Sequence, residues 1–209
     1  MKQKDWNGNS KSVYSTMATN SHSKNERETH DFYATSPVAI DMLLNSMPEL
    51  YAYEIREPAT GHGHMVKRMR ELGLTVQATE LINRSSENML IDDCEFGVDF
   101  LTLDLGEQFN GAIVTNPPYK YAEEFIRKGI DIVADNCYVC MFLPIRYLEG
   151  KQRKKLFKEL PPLKVIISSS RIECAPNGDF SKGNGSATGY AWYIWQKGFN
   201  GKPIIEWNN

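Results

Sequence analysis

The chain has 209 residues, of which 41% are hydrophobic, and a formal net charge of -2 at pH 7. This length allows one globular domain with a sizeable core and is short for two. The sequence has no apolar run of about 18 residues and no basic-then-apolar start, so we expect a soluble, cytoplasmic protein without a membrane span. The nearly balanced charge excludes a uniformly cationic molecule, so any affinity for nucleic acid must come from local patches.

Composition divides the chain into two parts. Residues 1–30 contain no Leu or Ile and are dominated by Ser, Asn, Lys, Thr and Glu, which cannot bury enough apolar area to offset the entropy of ordering. We therefore predict a flexible N-terminal arm over residues 1–30. From residue 31 to residue 209 the apolar spacing alternates between two and 3.6, which predicts a single domain of alternating strands and helices.

The elements predicted from these spacings follow in chain order. A helix begins after Ser36-Pro37, because serine is a common N-cap and proline fits the first helical turn. Strands are predicted at residues 53–57, 75–81, 97–101, 111–115, 137–143, 164–169 and 190–195. Further helices are predicted at residues 65–72, 122–133 and 150–160. This alternation indicates an open α/β sheet with helices on both faces, in which ligands bind beyond the carboxyl ends of the strands.

A loop with two glycines, Glu57-Pro58-Ala59-Thr60-Gly61-His62-Gly63, connects the first of these strands to a helix. Its glycines let the backbone turn tightly and approach a ligand closely. The loop departs from the dinucleotide-binding pattern, because the third position after Gly63 is Val66 rather than glycine. Glu80 ends the next strand about 20 residues downstream, where a carboxylate can accept hydrogen bonds from both hydroxyls of a ribose.

Asp99-Phe100 closes the third predicted strand. An acid at that position can accept from an adenine amino group, and an aromatic ring can pack on the base. A loop acid beside a core phenylalanine has the same pattern, so these two residues alone leave both interpretations open.

Asn116-Pro117-Pro118-Tyr119 follows a short, strongly apolar strand. The two prolines fix the backbone, so the carbonyl groups of Asn116 and Pro117 point in fixed directions. Such a loop can accept both hydrogens of one amino group, through the Asn116 amide oxygen and the Pro117 carbonyl. Tyr119 offers a flat surface on which a base can stack.

The cysteines and histidines do not complete a metal site. Cys137-Tyr138-Val139-Cys140 has half the spacing of a zinc site, but the second half is missing and the pair lies in a buried apolar run. His62 and His64 have no further ligands nearby in the sequence. We expect buried cysteines in a reducing compartment, and no metal.

One segment is markedly basic. It contains Arg146, Lys151, Arg153, Lys154 and Lys155, and it could contact phosphate or form a solvated helix face. Two further cations are candidates for contact with nucleic acid, namely Lys120 beside Tyr119 and Lys182 in a glycine-rich loop.

Five motifs occur in a fixed order, namely Phe32-Tyr33-Ala34-Thr35-Ser36-Pro37, the 57–63 loop, Glu80, Asp99-Phe100 and Asn116-Pro117-Pro118-Tyr119. This order resembles that of the S-adenosylmethionine-dependent DNA adenine-N6 methyltransferases. The resemblance is strongest to the small enzymes of phages and prophages. It spans residues 31–197, and the Asn-Pro-Pro-Tyr element is its most specific part.

The resemblance implies a Rossmann-like class I methyltransferase fold, with a seven-stranded mixed sheet whose last strand, near residues 190–195, is antiparallel. It implies S-adenosyl-L-methionine as the cofactor and double-stranded DNA as the substrate, with monomer as the favoured state. The implied cofactor-binding residues are Tyr33, Thr35, Pro37, Glu57, Pro58, Gly61, Gly63, Glu80, Asp99, Phe100 and Asn116. The implied catalytic residues are Asn116, Pro117, Pro118 and Tyr119, acting on an adenine that has been turned out of the duplex.

Many relatives carry a separate target-recognition domain, whereas only fourteen residues follow Trp195 here. We therefore expect none, with sequence preference low or supplied by the loop at residues 174–189. Two alternatives stay open. The chain could methylate RNA or a protein glutamine, because the Asn-Pro-Pro-Tyr loop can bind any planar amino or amide group. It could also be a non-catalytic module that binds cofactor or DNA.

Overall fold

The computed structural model describes residues 33–85, 89–176 and 188–208. The predicted N-terminal arm, Phe32 and Lys182 lie outside these residues. The strands are β1 (Tyr33–Thr35), β2 (Glu54–Glu57), β3 (Val76–Glu80), β4 (Glu95–Phe96), β5 (Gly111–Thr115), β6 (Tyr138–Pro144), β7 (Lys164–Ser168), β8 (Cys174–Pro176), β9 (Tyr190–Gln196) and β10 (Ile204–Asn208). The α-helices are α1 (Val38–Ser46), α2 (His64–Glu71), α3 (Ala122–Ile132) and α4 (Lys151–Glu159). Short 3-10 helices cover Pro48–Ala52, Tyr119–Tyr121 and Ile145–Leu148.

The main sheet has the strand order β4-β3-β2-β5-β6-β9-β7-β10. Strands β4, β3, β2, β5 and β6 are parallel neighbours, whereas β9 is antiparallel to β6 and β7. Strand β5 is buried at all five positions, as expected for a strand covered on both faces. The α/β class and the mixed sheet confirm the predicted fold.

Two details of the predicted sheet are wrong. The sheet has eight strands rather than seven, and the antiparallel strand β9 is not the last, because β10 follows it and pairs in parallel with β7. Ile204, Ile205 and Trp207 on β10 remain 56%, 40% and 67% exposed. An edge strand held mainly by backbone pairing to a distant segment leaves little pattern in its own residues, so β10 was not predicted.

The third strand also differs from its prediction at residues 97–101. The strand is Glu95–Phe96, and Gly97 ends it with a φ of +79°, which breaks the extended backbone. Asp99 and Phe100 therefore lie in a turn beyond the strand, where the Thr102 amide donates to the Asp99 carbonyl at 3.2 Å.

Two hydrophobic layers cover the two faces of the sheet. One layer joins residues of α1 and α2 to Cys140 and Phe142 of β6. The other joins residues of α3 and α4 to Val139 and Met141 of the same strand. Successive residues of β6 thus enter opposite layers, as the alternation of side chains along a strand requires. Helices lie on both faces, as predicted.

A small second sheet stands outside the main one. Strand β1 pairs antiparallel with β8, with Thr35 opposite Cys174. The Ser36 amide extends this pairing by donating to the Glu173 carbonyl at 3.0 Å. The ribbon was not predicted, because each strand is only three residues long. None of the helices in the described part of the chain is long and apolar enough to cross a membrane.

Candidate active site

The candidate site lies at the carboxyl ends of β2, β3 and β5. Strand β2 is the parallel neighbour of both β3 and β5, so these three ends meet at one edge of the sheet. Glu57 ends β2, Glu80 ends β3, and Asn116 directly follows β5. The sheet thus brings together residues that are up to 59 positions apart in the sequence, as the predicted placement of the site requires.

Backbone hydrogen bonds fix the loop between β2 and α2. The Thr60 amide donates to the Thr79 carbonyl at 3.2 Å, and the Gly63 amide donates to the Thr60 carbonyl at 3.0 Å. Gly63 has a φ of +88°, and a Cβ at this position would lie 2.9 Å from the side chain of Ile91. Both the conformation and the close approach therefore require glycine at the last loop position before α2.

The carboxylate of Glu80 anchors this loop from the neighbouring strand. Its Oε2 accepts from the Gly61 amide at 2.9 Å, and its Oε1 accepts from the Ile82 amide at 3.1 Å. Glu80 is buried, yet each carboxylate oxygen can accept more than one hydrogen bond. The side chain can therefore hold the loop and still accept from hydroxyl groups of a ligand.

Glu57 is a buried carboxyl group at the base of the site. It is 1% exposed, and its Oε1 accepts from the Ala59 amide at 3.0 Å. Burial raises the pKa of Glu57 to about 8, while the Thr115 hydroxyl and the Ala59 amide lower it and the charge of Glu80 raises it further. A ligand that brings positive charge to this carboxyl would favour its ionised form.

A side-chain hydrogen bond sets the orientation of Asn116. Its Nδ2 donates to the Thr35 hydroxyl at 2.8 Å. Thr35 is buried on β1, so a segment that precedes the main sheet in the sequence contacts the loop that follows β5. The amide nitrogen thus faces Thr35, and the amide oxygen is a buried atom.

Tyr119 is half-buried between the two hydrophobic layers. Its ring lies 6.0 Å from the ring of Tyr190, measured between centroids, and its hydroxyl group is buried. Burial raises the pKa of Tyr119 well above its ordinary value, and the nearby Cys174 and Tyr190 raise it further. Tyr119 therefore stays a neutral phenol at physiological pH.

Beside Tyr119 opens a cavity of about 380 Å³. This volume is large enough for a small-molecule group such as a base. Pro144 and Tyr147 supply apolar walls, Arg146 and Arg153 supply positive charge, and Glu149 supplies one negative charge. The Arg153 guanidinium lies 4.5 Å from the centroid of the Tyr147 ring, a cation–π arrangement. The Tyr193 hydroxyl on β9 donates to the Pro144 and Ile145 carbonyls, at 3.1 and 3.2 Å, and so supports this wall.

Asp99 and Phe100 are placed differently from each other. The backbone amide of Val98 donates to the Glu80 carbonyl at 3.2 Å, which sets the Asp99 turn beside the Glu80 strand end. The Asp99 Oδ1 accepts from the Leu101 amide at 3.0 Å. Phe100 is 2% exposed and its ring packs on Phe125, with 5.0 Å between centroids. The structure thus places Phe100 in the core. This agrees with the interpretation of the pair as a loop acid beside a core phenylalanine.

The remaining residues of the predicted site differ in burial. Pro58 and Pro117 are buried, whereas Pro37 and Pro118 are half-buried. The backbone of Tyr33 belongs to β1, two residues before Thr35.

The predicted basic segment divides into two groups. Arg146 and Arg153 line the cavity beside Tyr119. Exposed lysines occupy the adjoining helix α4, namely Lys151, Lys154 and Lys155. Lys120 is also exposed, with its ammonium 5.1 Å from the Tyr121 ring centroid. The structure therefore brings Arg146 and Arg153 to the cavity that Tyr119 lines.

Three residues near the site were not predicted to belong to it, namely Tyr147, Cys174 and Tyr190. Tyr147 walls the cavity, Tyr190 packs against Tyr119, and Cys174 lies among the hydroxyl groups of Thr35, Tyr119 and Tyr190. Burial raises the pKa of the Cys174 thiol to about 12, although those hydroxyls lower it. No local pattern marks these residues, because Cys174 and Tyr190 reach the site through sheet pairing and Tyr147 reaches it from the short 3-10 helix after β6.

The described residues contain no group of three or more His, Cys, Asp or Glu side chains that could hold a metal ion. All four cysteines are free thiols; Cys137, Cys140 and Cys174 are buried and Cys94 is half-buried. Cys137 directly precedes β6 and Cys140 lies within it, and burial raises the pKa of both thiols.

No protein-family model matches the sequence, and no curated protein is similar to it. Its fold is similar to that of many solved structures. One is a proposed class I S-adenosylmethionine-dependent methyltransferase from Listeria monocytogenes, with a TM-score of 0.55 and 12% identity, covering 83% of this chain and 65% of that one. Another is a modification subunit of a proposed type I restriction enzyme from Vibrio vulnificus, with a TM-score of 0.55 and 10% identity, covering 95% and 50%. A third is a proposed RNA methyltransferase from Pyrococcus horikoshii, with a TM-score of 0.53 and 13% identity, covering 77% and 83%.

These likenesses establish the class I methyltransferase fold. The chain spans about two thirds of the Listeria protein and half of the Vibrio protein.

Proposed function

We propose that this protein transfers a methyl group from S-adenosylmethionine to the exocyclic amino group of adenine in DNA. The observation that carries the proposal is the position of Asn116-Pro117-Pro118-Tyr119 at the carboxyl end of β5, next to the strand ends that bear Glu57 and Glu80. An acceptor pair for an amino group and a loop suited to a nucleoside then share one edge of a methyltransferase fold.

The residues at this edge suit the cofactor. The loop at residues 58–63 brings its backbone close to a ligand, and Glu80 has acceptor capacity for two ribose hydroxyls beyond the two amides it already binds. Asp99 can accept from the adenine amino group of the cofactor. The buried carboxyl group of Glu57 can interact with the positive charge of the cofactor. When bound, S-adenosylmethionine supplies an electrophilic methyl group.

The Asn-Pro-Pro-Tyr loop would activate the target nitrogen. The Asn116 amide oxygen and the Pro117 carbonyl would each accept one hydrogen of the amino group. That interaction localises the nitrogen lone pair, which is otherwise delocalised into the ring, and makes the nitrogen a better nucleophile. The acceptors are preorganised, because Thr35 fixes the Asn116 amide and the prolines fix the backbone. Tyr119 would hold the base by stacking, beside the cavity that it lines.

DNA is the proposed substrate for two reasons. Arg146 and Arg153 line the cavity, and the helix that carries Arg153 also carries the exposed Lys151, Lys154 and Lys155, so phosphate groups flanking a turned-out base would meet positive charge. The Vibrio vulnificus neighbour is a modification subunit of a proposed restriction enzyme. The Pyrococcus horikoshii neighbour makes RNA the second candidate.

One assay tests this proposal. The purified protein is given S-adenosylmethionine with a labelled methyl group and, separately, double-stranded DNA, RNA and a protein extract. Nucleosides and peptides are then analysed by mass spectrometry. We expect labelled N6-methyladenine from DNA. Label in RNA or in a protein glutamine would identify that molecule, rather than DNA, as the substrate. Cofactor binding with no labelled product would indicate a binding module.

The matched control is Asn116→Ala. Removing one preorganised acceptor at the reacting centre should lower the single-turnover rate on the order of a hundredfold, while cofactor binding persists. A fully active Asn116→Ala protein would refute the mechanism.

A further inference from the structure

The hydroxyl group of Thr35 lies between two partners. It accepts a hydrogen bond from Asn116 Nδ2 at 2.8 Å. Cys174 lies directly opposite Thr35 in the β1–β8 ribbon, and its buried thiol is close to the hydroxyls of Tyr119, Tyr190 and Thr35, which lower its pKa. A hydroxyl can donate its one hydrogen while its oxygen accepts, so Thr35 can accept from Asn116 with its own hydrogen directed to the sulfur.

This arrangement decides which way the Asn116 amide points. An amide group can present either its oxygen or its nitrogen to a hydroxyl, and the surrounding hydrogen bonds select one orientation. When the Thr35 hydrogen is directed to Cys174, the Thr35 oxygen is left to accept from the amide nitrogen, which is the bond observed. The amide oxygen is then the atom of Asn116 that would accept from an amino group.

We infer that Thr35 is a positioning residue for the methyl-transfer reaction: together with Cys174 it holds the Asn116 amide in the orientation that accepts a hydrogen from the target amino group. The inference rests on the proposed function. It also revises the part expected of Thr35 from the sequence, because a hydroxyl that is used for Asn116 contributes chiefly to the rate of transfer rather than to the affinity for cofactor.

The structure offers a reason for this support. Asn116 is the first residue after β5, where it leaves the regular pairing of the sheet. Its side chain therefore depends on contacts from outside the strand. The ribbon supplies one, and Thr35 is fixed within it by pairing to β8 and by the adjoining bond from Ser36 to Glu173. A side chain held from a paired strand is oriented more rigidly than one held from a loop.

The experiment compares Thr35→Val with Thr35→Ser in the full-length protein. Valine keeps the shape and removes the hydroxyl, whereas serine keeps the hydroxyl. We expect the single-turnover rate at saturating cofactor to fall on the order of tenfold in Thr35→Val, the effect of one lost hydrogen bond, and to stay within about threefold of the parent in Thr35→Ser. Calorimetry should show the same cofactor dissociation constant for both variants and the parent. Should Thr35→Val not fold, Thr35→Ala removes the same hydroxyl.

A double-mutant cycle separates positioning from general damage. In an Asn116→Ala background, Thr35→Val should change the rate by less than about twofold, because the group that Thr35 positions is gone. Equal effects of Thr35→Val in both backgrounds would overturn the inference. So would a raised dissociation constant with an unchanged rate at saturation, which would make Thr35 a cofactor ligand.

A measurement without ligand makes the inference independent of the assay. The side-chain amide signal of Asn116 can be assigned in a ¹⁵N–¹H spectrum by its absence in Asn116→Ala. We expect it to shift and to exchange faster with water in Thr35→Val but not in Thr35→Ser. An unchanged signal in Thr35→Val would refute the positioning contact. The parent protein could methylate no adenine while the Asn116 signal still shifts in Thr35→Val. That result would refute the proposed function and would support the contact between Thr35 and Asn116.

Discussion

Replacing Glu57 by glutamine should change how the stability of the protein depends on pH. The pKa of Glu57 is raised from 4.5 to about 8, and burial is the main cause. In the unfolded chain the same carboxyl titrates near 4.3, so between that pH and about 8 the folded state keeps a proton that the unfolded state releases. The free energy of unfolding therefore falls as the pH rises through this window. A glutamine at position 57 cannot titrate, so it removes this loss.

The size of the effect follows from the displacement of the pKa. A rise from 4.5 to about 8 corresponds to roughly 5 kcal/mol between the two ends of the window. Local relaxation and entry of water reduce such penalties, so we expect roughly 2–4 kcal/mol in measurement. Glu57→Gln should match the parent in stability near pH 5 and exceed it by that amount near pH 8.5.

Urea unfolding of the cofactor-free protein at several pH values between 5 and 8.5 measures this difference. His64, whose pKa is lowered mainly by burial, is present in both proteins and cancels in the comparison. Glu107→Gln, at an exposed glutamate in the loop before β5, is the matched control and should follow the parent. If Glu57→Gln and the parent gave parallel curves, Glu57 would titrate as an ordinary surface carboxylate and the reasoning would be wrong.

Three further predictions concern binding. Glu80→Ala should weaken cofactor binding in calorimetry, since each hydrogen bond from a ribose hydroxyl to a charged acceptor contributes roughly 1.5–3 kcal/mol; an unchanged dissociation constant would exclude Glu80 as the ribose ligand. Replacing Lys151, Lys154 and Lys155 by glutamine should weaken DNA binding equally across sequences and flatten its salt dependence, which a titration at several salt concentrations would show. Tyr119→Ala should lose roughly 1–3 kcal/mol of base stacking, whereas Tyr119→Phe should keep most of the activity; equal loss in both would contradict the stacking role.

Matched variants accompany two of these tests. Glu95→Ala removes an exposed carboxylate on β4, the neighbour of the Glu80 strand, and should leave cofactor binding unchanged. Lys67 on α2, Lys128 on α3 and Lys202 before β10 lie outside α4. Changing these three to glutamine alters the net charge by the same amount as the α4 variant, so an equal salt slope in both would show that only total charge matters.

The sequence by itself determined the alternation of elements and the positions of the loops that bear the site. Strand β5 is a buried apolar run, and the Asn-Pro-Pro-Tyr segment follows it; the glycine loop follows β2, which has one apolar residue among four. Because carboxyl ends of neighbouring parallel strands meet at one edge, the grouping of Glu57, Glu80 and Asn116 could be expected from these local patterns. The same local rules misplaced the third strand, since they could not tell that Gly97 ends it.

Only the tertiary structure decided which residues support the site. Thr35 meets Asn116, 81 positions later, through a ribbon of two three-residue strands, and Cys174 enters the same cluster from β8. Likewise, Phe100 turned into the core, and Tyr193 on the antiparallel strand came to support the cavity wall. Pairing between distant segments is set by the packing of the whole chain, and a short strand or a single hydroxyl carries no periodic signal of it.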